Sequence, residues 1–243
     1  MSLCQQKGQG LTGCRRGVQQ TLLTRDRAVT ISGAPGTGLS CTGNLMRIET
    51  YQGCDRISID PGEFYSTDKP GVISTLLGSC IAACLYDPRK RLIGMNHFML
   101  SNTRYSRSMP MHASEAGRYG IHAMELLIND MMARGTNRRL LRAKVFGGAT
   151  IINRDMEPSN FMCVGQVNCR FILEYLEGEG IPVDAQDLGG PFGRVIHFSN
   201  GDFAVHCRKI NAGGSSKLVV RDRECWQQAI ERQNRSQPAI DLW

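Results

Sequence analysis

One apolar stretch in the middle of the chain constrains the fold more than any other feature. Val72 to Leu77 and Ile81 to Tyr86 are both apolar, and Gly78-Ser79 separates them. Such segments are typical of buried strands, and the glycine allows a sharp bend between them. Asp87-Pro-Arg-Lys90 predicts a tight turn, after which residues 91–100 are apolar again. The pattern therefore predicts two buried strands and a third strand that returns beside the second.

The chain around this stretch predicts a mixture of strands and helices. Ile57 and Ile59 alternate with polar residues, as in a half-buried strand. Two helices are predicted, one from Ser114 to Gly135 and one from Ser159 or Asn160 to Gly178-Glu-Gly180. The other predicted strands are Ala143–Phe146, Ile181–Val183, Val195–Phe198 and Phe203–Cys207, with a hairpin turn at Asn200-Gly201.

The predicted order, roughly βββ-α-β-α-βββ, indicates the α+β class. We expect a single domain, a layered sandwich of mostly antiparallel or mixed β-sheet packed with two main helices. The domain is predicted to span residues 50–210, between a disordered N-terminal extension at 1–49 and a polar C-terminal tail at 211–243. Gly33 to Ser40 resembles a phosphate-binding loop, but Leu39 stands where the lysine is required. We expect a flexible segment there, and Met46 is a candidate native start.

Charge and hydropathy narrow the possible functions. The 243 residues carry 29 Lys and Arg against 22 Asp and Glu, a net charge of +7. The excess lies in the two terminal segments, whereas residues 61–204 are nearly neutral, so we do not expect nucleic-acid binding. The longest apolar run is too short to span a bilayer, and no stretch resembles an export signal. These features predict a cytoplasmic protein with no direct membrane insertion.

One of the ten cysteines is distinguished by its position. No two cysteines form a CxxC pair and none has zinc-ligand spacing, so neither a metal site nor a disulfide framework is predicted. Cys80 follows Gly78-Ser79 at the bend, and His97 lies in the returning strand. A cysteine and a histidine on hairpin partners can come within hydrogen-bond reach, and a nearby imidazole is a common activator of a thiol nucleophile. Spacing alone leaves a second reading open, a buried cysteine beside a core histidine.

Several motifs closely resemble the chemoreceptor glutamine deamidase family, CheD. The resemblance runs in order and at family spacing over about residues 55–208. It is carried by Thr75-Leu-Leu-Gly-Ser-Cys80-Ile-Ala-Ala-Cys-Leu-Tyr-Asp87, Gly94-Met-Asn-His97-Phe-Met-Leu100, Arg118-Tyr-Gly-Ile-His-Ala-Met-Glu-Leu-Leu127, Lys144-Val-Phe-Gly-Gly-Ala149 and Asp187-Leu-Gly-Gly190 with Gly193-Arg194.

The resemblance implies a cysteine hydrolase that converts glutamine side chains of methyl-accepting chemotaxis receptors to glutamate. It implies that Cys80 is the nucleophile, that His97 is the base, and that a hydroxyl residue six positions before the cysteine is the third member. That position is Ser74 here, where threonine is usual in the family. Thr75 is expected on the opposite face of the strand. The resemblance implies no metal or organic cofactor.

An alternative function belongs to a different class. The chain could be a regulatory docking module that binds chemoreceptors or a CheC-type phosphatase with little catalysis. A third hypothesis keeps the hydrolase but changes the substrate, as in toxin deamidases. Cys84, four residues beyond Cys80 in the same predicted strand, is interpreted as a packing residue.

Overall fold

The computed structural model describes residues 20–24, 27–31, 46–51, 54–100, 115–150 and 164–210, together with part of a helical stretch between 220 and 231. The two long helices are α1 (Glu115–Ala133) and α2 (Val164–Gly178). The strands in chain order are β1 (Gln20–Thr24), β2 (Arg27–Ile31), β3 (Met46–Tyr51), β4 (Cys54–Ser58), β5 (Phe64–Thr67), β6 (Gly71–Leu77), β7 (Ile81–Asp87), β8 (Leu92–Phe98), β9 (Arg142–Gly147), β10 (Val183–Leu188), β11 (Gly193–Ser199) and β12 (Val205–Ile210).

The described strands form two sheets. The outer sheet has the order β12-β11-β6-β4-β3-β1-β2, and the central sheet has the order β10-β9-β7-β8-β5. Both are mixed, because β4 and β6 are parallel in the outer sheet and β9 and β10 are parallel in the central one. The chain passes from the outer to the central sheet between β6 and β7. The predicted α+β sandwich with two main helices is therefore confirmed.

Strand β7 shows how the layers are arranged. Every residue of β7 is buried. Ile81, Ala83 and Leu85 pack in a cluster with residues of α1 and α2, whereas Cys80, Ala82 and Cys84 pack with residues of the outer sheet. The central sheet thus lies between a helical layer and the outer sheet. A continuous apolar run is what a strand covered on both faces requires.

Most elements match their sequence predictions, and the differences fall at the edges. Strand β10 covers Val183–Leu188 rather than Ile181–Val183, and it is an exposed edge strand whose residues show no alternating apolar pattern. The four-residue strand β5 was not predicted, and it is the opposite edge of the same sheet. Edge strands are short and lack one covering partner, so their sequences carry a weak signal.

The structure also places strands within the predicted N-terminal extension. Strands β1 and β2 form an antiparallel hairpin, β1 pairs with β3, and β3 pairs with β4. The hairpin turn predicted at Asn200-Gly201 is confirmed by the turn between β11 and β12. Gly33–Ser40 and the predicted helix caps at 114, 159 and 160 lie outside the described residues. The proposed domain boundaries stay predictions.

A search of the described helices found none with both the length and the apolar content needed to cross a bilayer.

Candidate active site

The bend at Gly78-Ser79-Cys80 joins the two sheets and carries the predicted nucleophile. Cys80 is fully buried at the start of β7. The carbonyl of Gly78 accepts a hydrogen bond from the Ala149 amide at 2.9 Å, and the carbonyl of Cys80 accepts one from the Gly148 amide at 2.7 Å. The backbone that follows β9 therefore fixes the bend on one side.

Gly147 allows this backbone to approach the bend closely. Its φ of +117° lies in a region that other residues rarely adopt. A Cβ atom built there would lie 2.1 Å from the carbonyl oxygen of Cys80, far inside van der Waals contact. The structure therefore places a close approach of two backbone segments directly beside Cys80.

The register of β7 and β8 brings Cys80 and His97 to one face of the central sheet. His97 is directly opposite Ala82. Cys80 lies two residues before Ala82, so it projects to the same side and is diagonal to His97. Diagonal positions on neighbouring strands are within reach of long side chains. The hairpin argument from the sequence predicts hydrogen-bond reach between the two side chains, and the structure places both residues on the side of the central sheet that faces the outer sheet.

A hydroxyl group from the outer sheet holds the His97 ring. Thr75 Oγ1 lies 2.8 Å from His97 Nδ1, and the same hydroxyl donates to the Ile59 carbonyl at 2.8 Å. A threonine hydroxyl has one proton to donate, so it accepts a hydrogen bond from Nδ1–H. This arrangement assigns the proton to Nδ1 and the lone pair to Nε2. His97 Nε2 is buried and has no hydrogen-bond partner among the described residues.

The structure brings a different hydroxyl to His97 from the one that the resemblance implied. The implied residue, Ser74, directs its hydroxyl to another histidine. Its hydroxyl lies 2.8 Å from Nδ1 of His197, which is opposite it on β11. Successive residues of a strand project to opposite faces, so Thr75 faces the central sheet while Ser74 faces away from it. Counting six positions back from the cysteine selected the wrong face.

The surroundings of His97 favour a neutral imidazole. Its side chain is 1% exposed, and burial, followed by the positive charge of Arg221, lowers its pKa from 6.5 to about 3. The carbonyl of Ile59 opposes this by raising the pKa. A neutral ring with a free Nε2 lone pair is the form that can accept a proton from a thiol. Burial raises the pKa of the Cys84 thiol, so that group stays protonated, in keeping with a packing role.

Arg221 was not singled out by the sequence. It is helical and belongs to the segment predicted as a polar tail. Its Nη2 donates to the Leu76 carbonyl at 2.5 Å, one residue from Thr75. The Ser74 carbonyl accepts the Ile59 amide at 3.0 Å, so by the two-residue alternation the Leu76 carbonyl points to the same side, beyond the end of β4. Arg221 thus donates to a carbonyl of β6 at a position where β4 no longer pairs with β6.

Metal ligation was also searched among the described parts of the chain. No three His, Cys, Asp or Glu side chains there are arranged so that they could hold a metal ion. The chemistry available at this site is that of a thiol, an imidazole, a hydroxyl and backbone amides.

Comparison with known proteins identifies a family. The profile of the family described as CheD chemotactic sensory transduction matches residues 99–209. Probable chemoreceptor glutamine deamidase CheD 1 of Geobacter sulfurreducens is 52% identical over 198 residues, which cover 82% of this chain and 98% of that protein. Probable chemoreceptor glutamine deamidase CheD 2 of Shewanella oneidensis is 40% identical over 190 residues, covering 77% of this chain and 94% of that one.

A third relative has a lower identity over a stretch of similar length. Probable chemoreceptor glutamine deamidase CheD of Bordetella parapertussis is 38% identical over 188 residues, which cover 76% of this chain and 85% of that protein. Matches of this extent and coverage agree with the motifs around Cys80 and His97. The chain belongs to the CheD family.

Proposed function

We propose that this protein is a chemoreceptor glutamine deamidase that hydrolyses glutamine side-chain amides of methyl-accepting chemotaxis receptors to glutamate and ammonia. The single observation that carries the proposal is the orientation of His97. Its ring is held by Thr75 through Nδ1, which leaves a buried, proton-accepting Nε2 on the face that also carries Cys80. The printed names of the relatives supply the substrate class.

The first half of the reaction forms a thioester. Cys80 Sγ attacks the amide carbon while His97 Nε2 takes the thiol proton, so a carbon–sulfur bond forms and the carbonyl electrons move to oxygen. Backbone N–H groups of the bend stabilise that oxyanion. When the intermediate collapses, the carbon–nitrogen bond breaks and His97 returns its proton to the nitrogen, which leaves as ammonia.

The second half regenerates the enzyme. His97 Nε2 takes a proton from water, whose oxygen attacks the thioester carbon. The carbon–sulfur bond breaks, the proton returns to Cys80, and glutamate is released. The balance is one glutamine and one water consumed for one glutamate and one ammonia. Thr75 is a positioning residue, because it touches His97 and not the reacting atoms.

Mass spectrometry of a receptor fragment tests this function. A chemoreceptor cytoplasmic fragment is incubated with the protein, with a Cys80→Ala variant, and with a Cys84→Ala variant. Each conversion adds about one dalton, because a hydroxyl group replaces the NH2 group of the side-chain amide. We expect the gain at defined glutamines with the parent and with Cys84→Ala, and none with Cys80→Ala. Cys84 is a matched control because it is also a fully buried cysteine and belongs to the same apolar cluster as Cys80.

The partners and compartment follow from the proposed activity. We infer that the protein acts in the cytoplasm, where it would meet the cytoplasmic portions of its chemoreceptor substrates. A CheC-type phosphatase is a second proposed partner, to be tested by co-purification with Cys80→Ala. If several receptor fragments bind the parent but gain no mass, the deamidase proposal fails and the docking function replaces it.

A further inference from the structure

A single side chain of the helical layer connects the bend at Cys80 with the segment that directly follows the strand of His97. Asn168 of α2 is fully buried. Its Nδ2 donates to the Ser79 carbonyl at 2.8 Å, and its Oδ1 accepts from the Leu100 amide at 2.9 Å. Ser79 immediately precedes Cys80, and Leu100 lies three residues after His97. Burying an amide is costly unless it is hydrogen-bonded, and here both ends of the amide are used.

Three successive carbonyls of the bend are each held by a different donor. The carbonyls of Gly78 and Cys80 accept from the backbone amides of Ala149 and Gly148. The Ser79 carbonyl between them accepts from Asn168. The outer two bonds are donated by backbone amides, so they do not depend on a side-chain donor. The middle bond depends on the identity of residue 168, because it needs a donor of this length projecting from α2.

The direction of the Ser79 carbonyl also sets the direction of an amide. A trans peptide is planar, and its C=O and N–H point in opposite directions. The described residues contain no cis peptide bond. Because Asn168 draws the Ser79 carbonyl towards the helical layer, the N–H of Cys80 is directed to the opposite side, towards the outer sheet. Cys80 and His97 lie on that same side.

We propose that Asn168 is a positioning residue that orients the Ser79–Cys80 peptide, so that the N–H of Cys80 faces the oxyanion formed on the substrate amide. The inference rests on the proposed deamidase function and adds to it the side chain that determines the oxyanion geometry. Through Leu100, the same amide fixes the end of the strand that carries His97. A preorganised donor is effective in catalysis because it needs no reorientation during the reaction.

An isosteric variant of Asn168 can remove one of its two hydrogen bonds and keep the other. In Asn168→Asp, one carboxylate oxygen can still accept from Leu100, but the other faces the Ser79 carbonyl with no proton to donate. Asn168→Ala removes both bonds without adding a charge. The matched control is Asn200→Ala, because Asn200 is also a buried asparagine, whose amide donates to the carbonyls of Thr67 and Arg91. It lies at the Gly71 end of β6, about 20 Å from the bend at the usual rise per residue.

The readouts distinguish oxyanion geometry from general support of the fold. We expect both Asn168 variants to lower kcat by about 10²-fold, with KM changed less than about threefold. Alkylation of Cys80 by iodoacetamide forms no oxyanion, so its rate is expected to stay close to that of the parent. Asn200→Ala is expected to retain kcat. An unchanged kcat in the Asn168 variants, or equal losses of kcat and alkylation rate, would overturn the proposal.

A ligand that forms an oxygen-bearing adduct gives a test that does not depend on turnover. The probe is a receptor-derived peptide in which an aldehyde replaces the side-chain amide of the target glutamine. Cys80 Sγ adds to the aldehyde carbon and the thiol proton ends on the oxygen. We expect the Asn168 variants to weaken this adduct by at least about tenfold. Failure of the parent to deamidate receptors contradicts the proposed function, whereas an unchanged adduct in the variants contradicts only the role of Asn168.

Discussion

The hydroxyl of Thr75 lies 2.8 Å from Nδ1 of His97 and donates its own proton to the carbonyl of Ile59. This relationship joins the two sheets at the active site, because Thr75 belongs to β6 of the outer sheet and His97 to β8 of the central sheet. It also selects the tautomer of the imidazole. The protonation of the two ring nitrogens of His97 therefore depends on how the two sheets pack against each other.

Replacing Thr75 is expected to slow deamidation more than replacing its neighbour. Thr75→Val keeps the shape but removes the hydroxyl, so the ring loses its orientation, and kcat should fall by about 10–10²-fold. Thr75→Ser should retain most of the activity. Ser74→Ala, which removes the hydroxyl that contacts His197, should change kcat less than about twofold. Initial rates of ammonia release measure all three, and a larger loss in Ser74→Ala than in Thr75→Val would contradict the assignment.

Removal of the positive charge near His97 should shift the pH dependence of the enzyme. Burial is the larger cause of the low His97 pKa, and Arg221 is the second. Arg221→Gln removes the cation, so the His97 pKa rises and the acid limb of kcat/KM moves to higher pH. Arg223→Gln is the control, because Arg223 is an exposed arginine of the same helical stretch. Equal profiles for the two variants would show that Arg221 does not act on His97.

The buried imidazole should also make folding stability depend on pH. The pKa of His97 is about 3 in the folded protein, against an ordinary value of 6.5 that we take for the unfolded chain, so the unfolded chain binds the proton first as pH falls. This contribution to stability is complete above pH 6.5 and is lost as pH falls towards 3, by at most about 1.4 kcal/mol per pH unit. Urea unfolding between pH 4 and pH 7, compared with His97→Gln, measures it. Parallel curves for the two proteins would be inconsistent with a neutral buried His97.

Replacement of a buried and of an exposed glycine by alanine should affect stability differently. Gly147→Ala places a Cβ against the Cys80 carbonyl and forces a positive φ on alanine, which alone costs about 1–2 kcal/mol. We expect a lower free energy of unfolding and a large loss of activity. In Gly178→Ala the new Cβ meets nothing within 4 Å, at the end of α2, so stability should be unchanged or slightly higher. Thermal unfolding with a parallel activity assay compares them.

Local sequence patterns were sufficient to predict the parts of the site that lie close together in the chain. Cys80 and His97 are on neighbouring strands joined by a short turn, so the register follows from the turn and the apolar pattern. Ser74 was predicted by counting positions, whereas the pleat of β6 brings the hydroxyl of Thr75 against His97. The alternation of a strand was thus a better guide than the interval from the cysteine.

The residues that sequence reasoning missed reach the site across long separations. Asn168 lies 89 positions from Ser79, and Arg221 lies 145 positions from Leu76. An asparagine in a helix and an arginine in a polar tail are ordinary on a protein surface, so neither stands out in the sequence. Only the packing of α2 and of the C-terminal helical stretch against the bend reveals what their side chains contact.

The division of the candidate active site between two sheets affects how its activity depends on the packing of those sheets. The thiol and imidazole share one sheet, but the hydroxyl that orients the imidazole belongs to the other. A slip of one residue between the layers would move that hydroxyl by about 3.3 Å, beyond hydrogen-bond distance. Loosening of the contact between the two layers is therefore expected to lower the rate of deamidation while each sheet is still intact.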